Sequence, residues 1–188
     1  MSKVGTPTLK TRSIIASIIG NIIEWYDFSL YLYLAPVIAD NFFPAATKAK
    51  SLMLTFLVFA MGFILRPLGS IIFGHFGDSI GRAKTLKLTI LLTAISALCI
   101  AFLPTYHVVG IFAPLTLIVM RMIQGLCISG EFAGSMIYLT ESAPKSKRAL
   151  VSCMANNGSN FGIILATGIA ALLAMIMPTT TFNHDGWR

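Results

Sequence analysis

The sequence predicts an all-α membrane protein with about five transmembrane helices. Hydrophobic residues make up 56% of the 188 positions and charged residues only 11%, whereas soluble domains average roughly 25% charged residues. The apolar residues are gathered into long runs, and a helix needs roughly 20 such residues to cross the hydrocarbon core. Five runs meet this length, at 13–35, 52–73, 85–103, 108–138 and 150–177.

The breaks between these runs carry turn formers or charges, which are typical of helix ends. The first run lacks a small-residue cleavage site and is expected to stay in the protein. The second contains Arg66 followed by Pro67, which predicts a kink. The fourth is too long for one hydrocarbon core and is expected to extend into the cytoplasm. The breaks lie at 41–44, 77–84, 104–107, 144–148 and from 178 onward.

Lysine and arginine are unevenly divided between the two sides that these helices define. The net charge is +7, but the basic residues lie in short clusters between apolar runs, which argues against a nucleic-acid partner. With the N-terminus in the cytoplasm, nine lie inside and three outside, as the positive-inside rule requires. The inside set is Lys3, Lys10, Arg12, Arg82, Lys84, Lys87, Lys145, Lys147 and Arg148, and the outside set is Lys48, Lys50 and Arg188.

Cysteine and histidine give no pattern typical of a metal centre or an enzyme. The three cysteines fall in predicted membrane segments without paired spacing. The three histidines are scattered among loops on different sides of the membrane. We therefore predict no metal site, no cofactor and no enzymatic activity.

Two acids on the first helix are candidates for proton coupling. Glu24 and Asp27 are three residues apart, so both carboxylates lie on one helix face, with Tyr31 one turn further. A charged group at the centre of a span costs roughly 2.5 to 3.5 kcal/mol. Two acids on one dry wall compete for ionisation, which would leave one able to exchange a proton near neutral pH. The alternative is a salt bridge to Arg66 or Arg121 without a role in transport.

Polar residues on the fourth and fifth helices are candidates for binding a solute. Arg121 presents a planar fork suited to a substrate carboxylate or to a buried acid. A permanent pair between Arg121 and either acid of the first helix is the alternative. The asparagines of the fifth helix either line a polar cavity or form interhelical hydrogen bonds. The predicted solute-binding set is Arg121, Gln124, Tyr31, Asn156, Asn160 and Glu131.

The stretch FGHFGDSIGR, residues 73–82, is either a polar hairpin between two helices or a functional signature. Its glycines allow tight turning and close backbone approach. Asp78 and Arg82 would lie one turn apart if the stretch is helical.

Three separated motifs resemble the major facilitator superfamily of transporters. The loop signature G-x-x-x-D-R-x-G-R-K is met by Gly74, Asp78, Gly81 and Arg82, although Ser79 and Ala83 replace two basic residues. The fourth-helix signature R-x-x-Q-G begins at Arg121. GNIIEWYDF, RPLGSIIFG, GEFAG and ESAPKSKRA are similar to hallmarks of its metabolite:proton symporter group, which includes proline/betaine, α-ketoglutarate and shikimate carriers.

This resemblance implies a fold of two six-helix bundles with the substrate between them at the midplane. Residues 1–188 would form an incomplete N-terminal bundle, with the C-terminal bundle absent. The resemblance also implies a cytoplasmic gating loop that stabilises one state of the transport cycle. Its candidate residues are Gly74, Asp78, Gly81, Arg82, Glu141 and Arg148.

The function implied is proton-coupled symport of a small organic solute, such as proline, a betaine or a carboxylate. The expected location is a bacterial inner membrane with a cytoplasmic N-terminus. The expected partners are the lipid bilayer, the solute, a proton and either a C-terminal half or a second copy. An alternative is a truncated or split-gene fragment without transport activity, either inert or acting as a membrane interaction module.

Overall fold

The structure, a computed structural model, describes the backbone of residues 11–142, 146 and 148–185. Side chains are described over 18–81, 84–129 and 157–179, and at 146, 148–150, 153 and 181–183. Within these residues every regular element is a helix, as predicted. The helices are α1 Thr11–Tyr33, α2 Ala35–Phe42, α3 Lys48–Ile64, α4 Arg66–Ile80, α5 Arg82–Ala101, α6 Tyr106–Val109, α7 Phe112–Ser142, α8 Arg148–Ile176 and α9 Thr179–Asp185.

Among the residues that the structure describes, four segments are long and apolar enough to cross a membrane. The first helix is not among them, although its 23 residues would extend roughly 35 Å and so could cross a hydrocarbon core of about 30 Å. Its polar side chains include Asn21, Glu24 and Asp27. The predicted multi-pass membrane fold is therefore confirmed. The four segments are Lys48–Ile80, Lys84–Ala101, Phe112–Ser129 and Asn157–Ile176.

The second span is interrupted at Leu65, between the end of α3 and the start of α4. Pro67 lies in the first turn of α4, where its missing N–H leaves no intrahelical hydrogen bond unmade. The Leu65 N–H still donates to Met61 O at 3.2 Å, and the Leu65 carbonyl accepts from Gly69 N at 2.9 Å. The predicted kink at Pro67 is therefore present as a break that retains local hydrogen bonds.

The predicted break at 77–84 is much shorter in the structure. Helix α4 runs to Ile80, and Gly81 alone separates it from α5. Gly81 has a φ of 98°, a left-handed conformation that glycine adopts without strain. Because Gly81 turns the chain, Asp78 and Arg82 belong to different helices and do not lie one turn apart on one helix.

Helices α1 and α8 pack against each other in parallel. Asn21 Nδ2 donates to Ser159 Oγ at 3.0 Å, and Thr167 Oγ1 donates to Tyr33 Oη at 2.8 Å. The residue numbers increase together along both helices, which fixes the parallel direction. At the far end Asn41 Nδ2 donates to the Asn183 carbonyl at 2.8 Å and so joins α2 to α9.

Helix α7 lies at the centre of the bundle and contacts α1, α3, α4, α5 and α8. Residues from α1, α2, α3, α5 and α7 form the main apolar core. The outer faces expose large apolar side chains, including Met53, Ile71 and Met175, as lipid contact requires. The buried core residues are Tyr31, Leu34, Val37, Ile38, Phe42, Phe43, Val58, Ile100, Leu103, Ala113 and Leu117.

Glycine allows close approach between α1 and α8, and alanine at Gly162 is expected to separate them. A Cβ atom there would lie 3.0 Å from Tyr26 N and 3.1 Å from Trp25 Cβ, and closer still to Ile22 O. We expect Gly162→Ala to destabilise the bundle by about 2 kcal/mol, as overpacking does. Unfolding by SDS titration in mixed micelles measures this loss.

The matched control is Gly168→Ala on the same helix. A Cβ atom at Gly168 would meet nothing within 4 Å. Alanine is favoured over glycine in a helix by up to about 1 kcal/mol, so this variant should be neutral or slightly more stable. Equal destabilisation by both variants would contradict the packing argument.

Candidate functional site

An ion pair joins α1 to α7 inside the bundle. Arg121 Nη1 lies 3.1 Å from Asp27 Oδ2, and the two side chains are 10% and 30% exposed. The Arg121 guanidinium carbon also lies 4.1 Å from the centre of the Tyr31 ring. Tyr31 is held in turn, because its hydroxyl donates to the Thr55 carbonyl at 3.1 Å. Asp27 and Tyr31 are one turn apart on α1, so both reach the same arginine.

A small cavity of about 130 Å³ lies beside this pair. Apart from Asp27, Tyr31 and Arg121 its walls are apolar, so the ion pair lies in a setting of low dielectric where charges interact strongly. The Nε atom of Arg121 is buried and finds no acceptor among the described residues. The remaining lining residues are Leu30, Leu34, Ile38, Phe42, Ala97, Ile100, Ala101 and Leu117.

Gln124 follows Arg121 by one turn and is 1% exposed. Within the part of the chain that the structure describes, neither its Nε2 nor its Oε1 has a hydrogen-bond partner. An unsatisfied buried polar group costs about 1 to 3 kcal/mol. The amide therefore offers a donor and an acceptor in the bundle interior, close in sequence to the charged pair.

Glu24 faces a different cavity from Asp27. It is buried and lines a cleft of about 440 Å³ between α1, α4 and α7. Arg66 lines the same cleft, and the negative charge of Glu24 favours the charged form of its guanidinium. The two acids thus line different cavities, and their competition for ionisation stays a prediction. Positions three apart differ by about 60° around a helix, which is enough to place each acid beside a different cavity.

The Arg66 guanidinium is surrounded by aromatic rings. Its central carbon lies 4.2 Å from the Phe63 ring centre, 4.9 Å from that of Phe28 and 5.9 Å from that of Trp25. Cation–π attraction of this kind stabilises a desolvated cation by about 2 kcal/mol. These rings were not among the residues predicted from the sequence. The available signal was the spacing of Trp25 and Phe28, and of Phe63 and Arg66, at three residues each.

Comparison with known proteins decides the family. Residues 13–188 match the family described as sugar (and other) transporter. The chain belongs to this transporter family of the major facilitator superfamily. Members of this superfamily are transporters rather than enzymes. The predicted membership is therefore confirmed.

Curated relatives of this transporter-family chain include two from Escherichia coli strain K12. The shikimate transporter is 38% identical over 178 residues, which are 94% of this chain and 41% of that relative. The proline/betaine transporter is 36% identical over 177 residues, which are 94% of this chain and 35% of that relative. The chain thus spans about two fifths of the length of these relatives.

A solved structure supports the transporter fold. The xylose transporter XylE from E. coli, in a partially occluded inward-open conformation, superposes with a TM-score of 0.81. The alignment has 19% identity and covers 93% of this chain and 42% of XylE. At this identity the likeness establishes the fold, namely the helical bundle of a major facilitator.

The structure of this transporter-family chain brings together only some of the predicted solute-binding residues. Arg121 and Tyr31 are in contact, and Gln124 lies one turn from Arg121. Asn160 is exposed on α8, whereas its neighbour Ser159 faces α1. The side chains of Glu131 and Asn156 lie outside the described residues.

The predicted gating residues lie near the α4–α5 connection or on α7 and α8. Gly74 and Asp78 are exposed on α4, and Gly81 forms the turn. Arg148 is exposed at the start of α8. The side chains of Arg82 and Glu141 lie outside the described part of the chain. A gating role for this set stays a prediction.

Proposed function

We propose that this chain forms part of a proton-coupled symporter for a small organic solute such as proline, a betaine or a carboxylate. The observation that carries the proposal is the Asp27–Arg121 ion pair in a low-dielectric cavity. Intramembrane ionisable groups are costly and mark ion or substrate pathways. The relatives named for shikimate and for proline/betaine transport support the substrate class. A structural neighbour titled a proton:xylose symporter supports the coupling.

In this proposal the Asp27–Arg121 pair couples proton binding to substrate binding through the Arg121 guanidinium. While Asp27 is ionised, it occupies Arg121. When a proton binds an Asp27 oxygen, the attraction weakens and Arg121 becomes available to a substrate carboxylate. Because proton binding and substrate binding then favour the same state, each increases the affinity for the other. Glu24 remains a second candidate for the proton site.

The solute site is completed by a second bundle in this proposal. Binding at a midplane between two bundles is the arrangement of such transporters, so a C-terminal half or a second copy would supply the opposite wall. We place the protein in a bacterial inner membrane with its N-terminus in the cytoplasm. The division of lysine and arginine supports that orientation.

Uptake into proteoliposomes tests the function. The chain is reconstituted alone and together with the C-terminal bundle of the proline/betaine transporter, and labelled glycine betaine, proline and shikimate are supplied outside. An inward proton gradient should drive accumulation of at least one solute, and a protonophore should abolish it. Absence of gradient-dependent uptake of all three solutes in both preparations would contradict the proposal.

A further inference from the structure

The geometry points to a second solute site, in the cleft around Arg66, that takes the carboxylate of a small zwitterion. This inference rests on the proposed function, since it names where such a solute binds on this bundle. The cleft of about 440 Å³ is within the range of about 300 to 1,000 Å³ typical of small-molecule sites. The cavity beside Asp27 and Arg121, at about 130 Å³, falls below that range.

Two N–H donors at the cleft have no acceptor among the residues whose side chains are described. The Nε of Arg66 and the Nε1 of Trp25 are both buried and without a hydrogen-bond partner within the described residues. Both residues line the cleft. A carboxylate offers two oxygens that accept charge-assisted hydrogen bonds, so it matches an arginine and a neighbouring indole donor. Small rotations of these half-buried side chains would present both donors to the ligand.

The aromatic rings hold the guanidinium in place without consuming its hydrogen bonds. Cation–π contacts with Phe63, Phe28 and Trp25 act on the faces of the rings. The Nε–H group lies in the plane of the guanidinium, has no acceptor among the described residues and is left for a ligand. A half-buried arginine held in this way is preorganised to bind an anionic group.

The rest of the cleft suits a cation. Ser70 Oγ donates to the Pro67 carbonyl at 2.7 Å, and Ser129 Oγ donates to the Leu126 carbonyl at 2.9 Å. Both serine protons are thus in use, and the oxygens present lone pairs. The Glu24 carboxylate lines the same cleft. Serine oxygens, a carboxylate and aromatic faces all attract an ammonium group, so the whole cleft matches a zwitterion better than a simple anion.

The two arginine sites follow each other along α1. Glu24 precedes Asp27 by three residues, about 4.5 Å along the helix axis. Helices α1 and α3–α4 run in opposite directions, because Tyr31 contacts Thr55 whereas Trp25 contacts Arg66. The cleft therefore lies nearer than the Asp27 pair to the end of the bundle that carries Gly81. A solute bound there is adjacent to the charged pair but does not occupy it.

Fluorescence of Trp25 reports on this site directly. The chain has two tryptophans, Trp25 and Trp187, so Trp187→Phe leaves one fluorophore at the cleft. This variant is placed in phosphatidylcholine nanodiscs, whose lipids carry no carboxylate, and titrated with glycine betaine and with proline. We expect a saturable change in emission with at least one of them. Arg66→Gln should weaken that binding by at least about tenfold.

Lys87→Gln is the matched control, because it removes one positive charge at an exposed position on α5 outside the cleft. It should leave the dissociation constant unchanged. Trp25→Phe keeps a ring and removes only the Nε1 donor, and equilibrium dialysis with labelled solute should show binding several-fold weaker. That variant keeps the test decisive if Arg66→Gln does not fold. Unchanged affinity in a folded Arg66→Gln protein, or in Trp25→Phe, would overturn the site.

Two further tests use a ligand that lacks the carboxylate and the Asp27→Asn variant. They separate the carboxylate assignment from the proposed transport function. Tetramethylammonium lacks the carboxylate and should bind more weakly than glycine betaine; equal binding would overturn the carboxylate assignment. Absence of binding by both zwitterions would overturn it as well. Asp27→Asn should retain binding in the cleft while accumulation is lost. Binding without any gradient-driven uptake in the unmodified chain would contradict the proposed function and leave the site standing.

Discussion

Replacing Asp27 by asparagine is expected to abolish proton-driven accumulation of the solute. Asparagine keeps the shape and a hydrogen bond to Arg121 but can no longer alternate between a charged and a neutral form. Coupling between two ligands of one protein is typically 5- to 150-fold, and this factor should fall to about 1. Proteoliposomes with and without a proton gradient measure it. Exchange of labelled for unlabelled solute, which needs no net proton movement, should continue.

Replacing Arg121, the other member of the ion pair, is the complementary test. Arg121→Gln leaves the Asp27 carboxylate partly buried without its partner, and breaking a buried pair costs about 3 to 5 kcal/mol. Asp27 is 30% exposed, so the lower end of that range applies. The double variant with Asp27→Asn removes both charges and should recover most of the loss. Additive losses in SDS titration would show that the two side chains do not interact.

Alanine at Gly125 is expected to cause a larger loss of stability than alanine at Gly162. Gly125 faces Gly62 across the α3–α7 contact, and a Cβ atom would lie 2.7 Å from Gly62 Cα and 2.8 Å from Gly62 C. These are backbone atoms, so relief requires the two helices to separate. We expect a loss of about 3 kcal/mol, the upper end of the range for overpacking, measured by SDS titration.

The other side of the same contact is the control. A Cβ atom at Gly62 would have the Arg121 carbonyl oxygen as its nearest neighbour, at 3.6 Å, which is an ordinary van der Waals distance. Gly62→Ala should therefore be close to neutral, with helix propensity offsetting any small shift. Equal destabilisation by Gly62→Ala and Gly125→Ala would contradict the expected difference in space at the two glycines.

The sequence predicted the helices better than it predicted their mutual arrangement. The length of each apolar run and the position of Pro67 are local properties of the sequence. The membrane helices and the kink could therefore be predicted from the sequence alone. The relation of Glu24 to Asp27 depended on which neighbours surround α1, and helical spacing says nothing about those neighbours. The same holds in part for Arg66: Phe63 lies three residues before it, but Phe28 comes from α1, which is distant in sequence.

The turn at Gly81 shows a second kind of limit. Polar residues and glycines at 77–84 indicated a break of several residues. One glycine with a positive φ is sufficient to reverse the direction of the chain, and the neighbouring polar residues remain helical. Composition locates such a turn but does not give its length.

The break at Leu65 has a mechanical consequence for the bundle. On one side of it Gly62 is in backbone contact with Gly125, and on the other Gly69 lies against Leu126 and Ser129. Both contacts are with α7. The two halves of the second span therefore pack against the same helix, one on each side of Leu65. We therefore expect these contacts to restrict bending at Leu65. In a motion that opens a path for solute, we expect α3, α4 and α7 to move together.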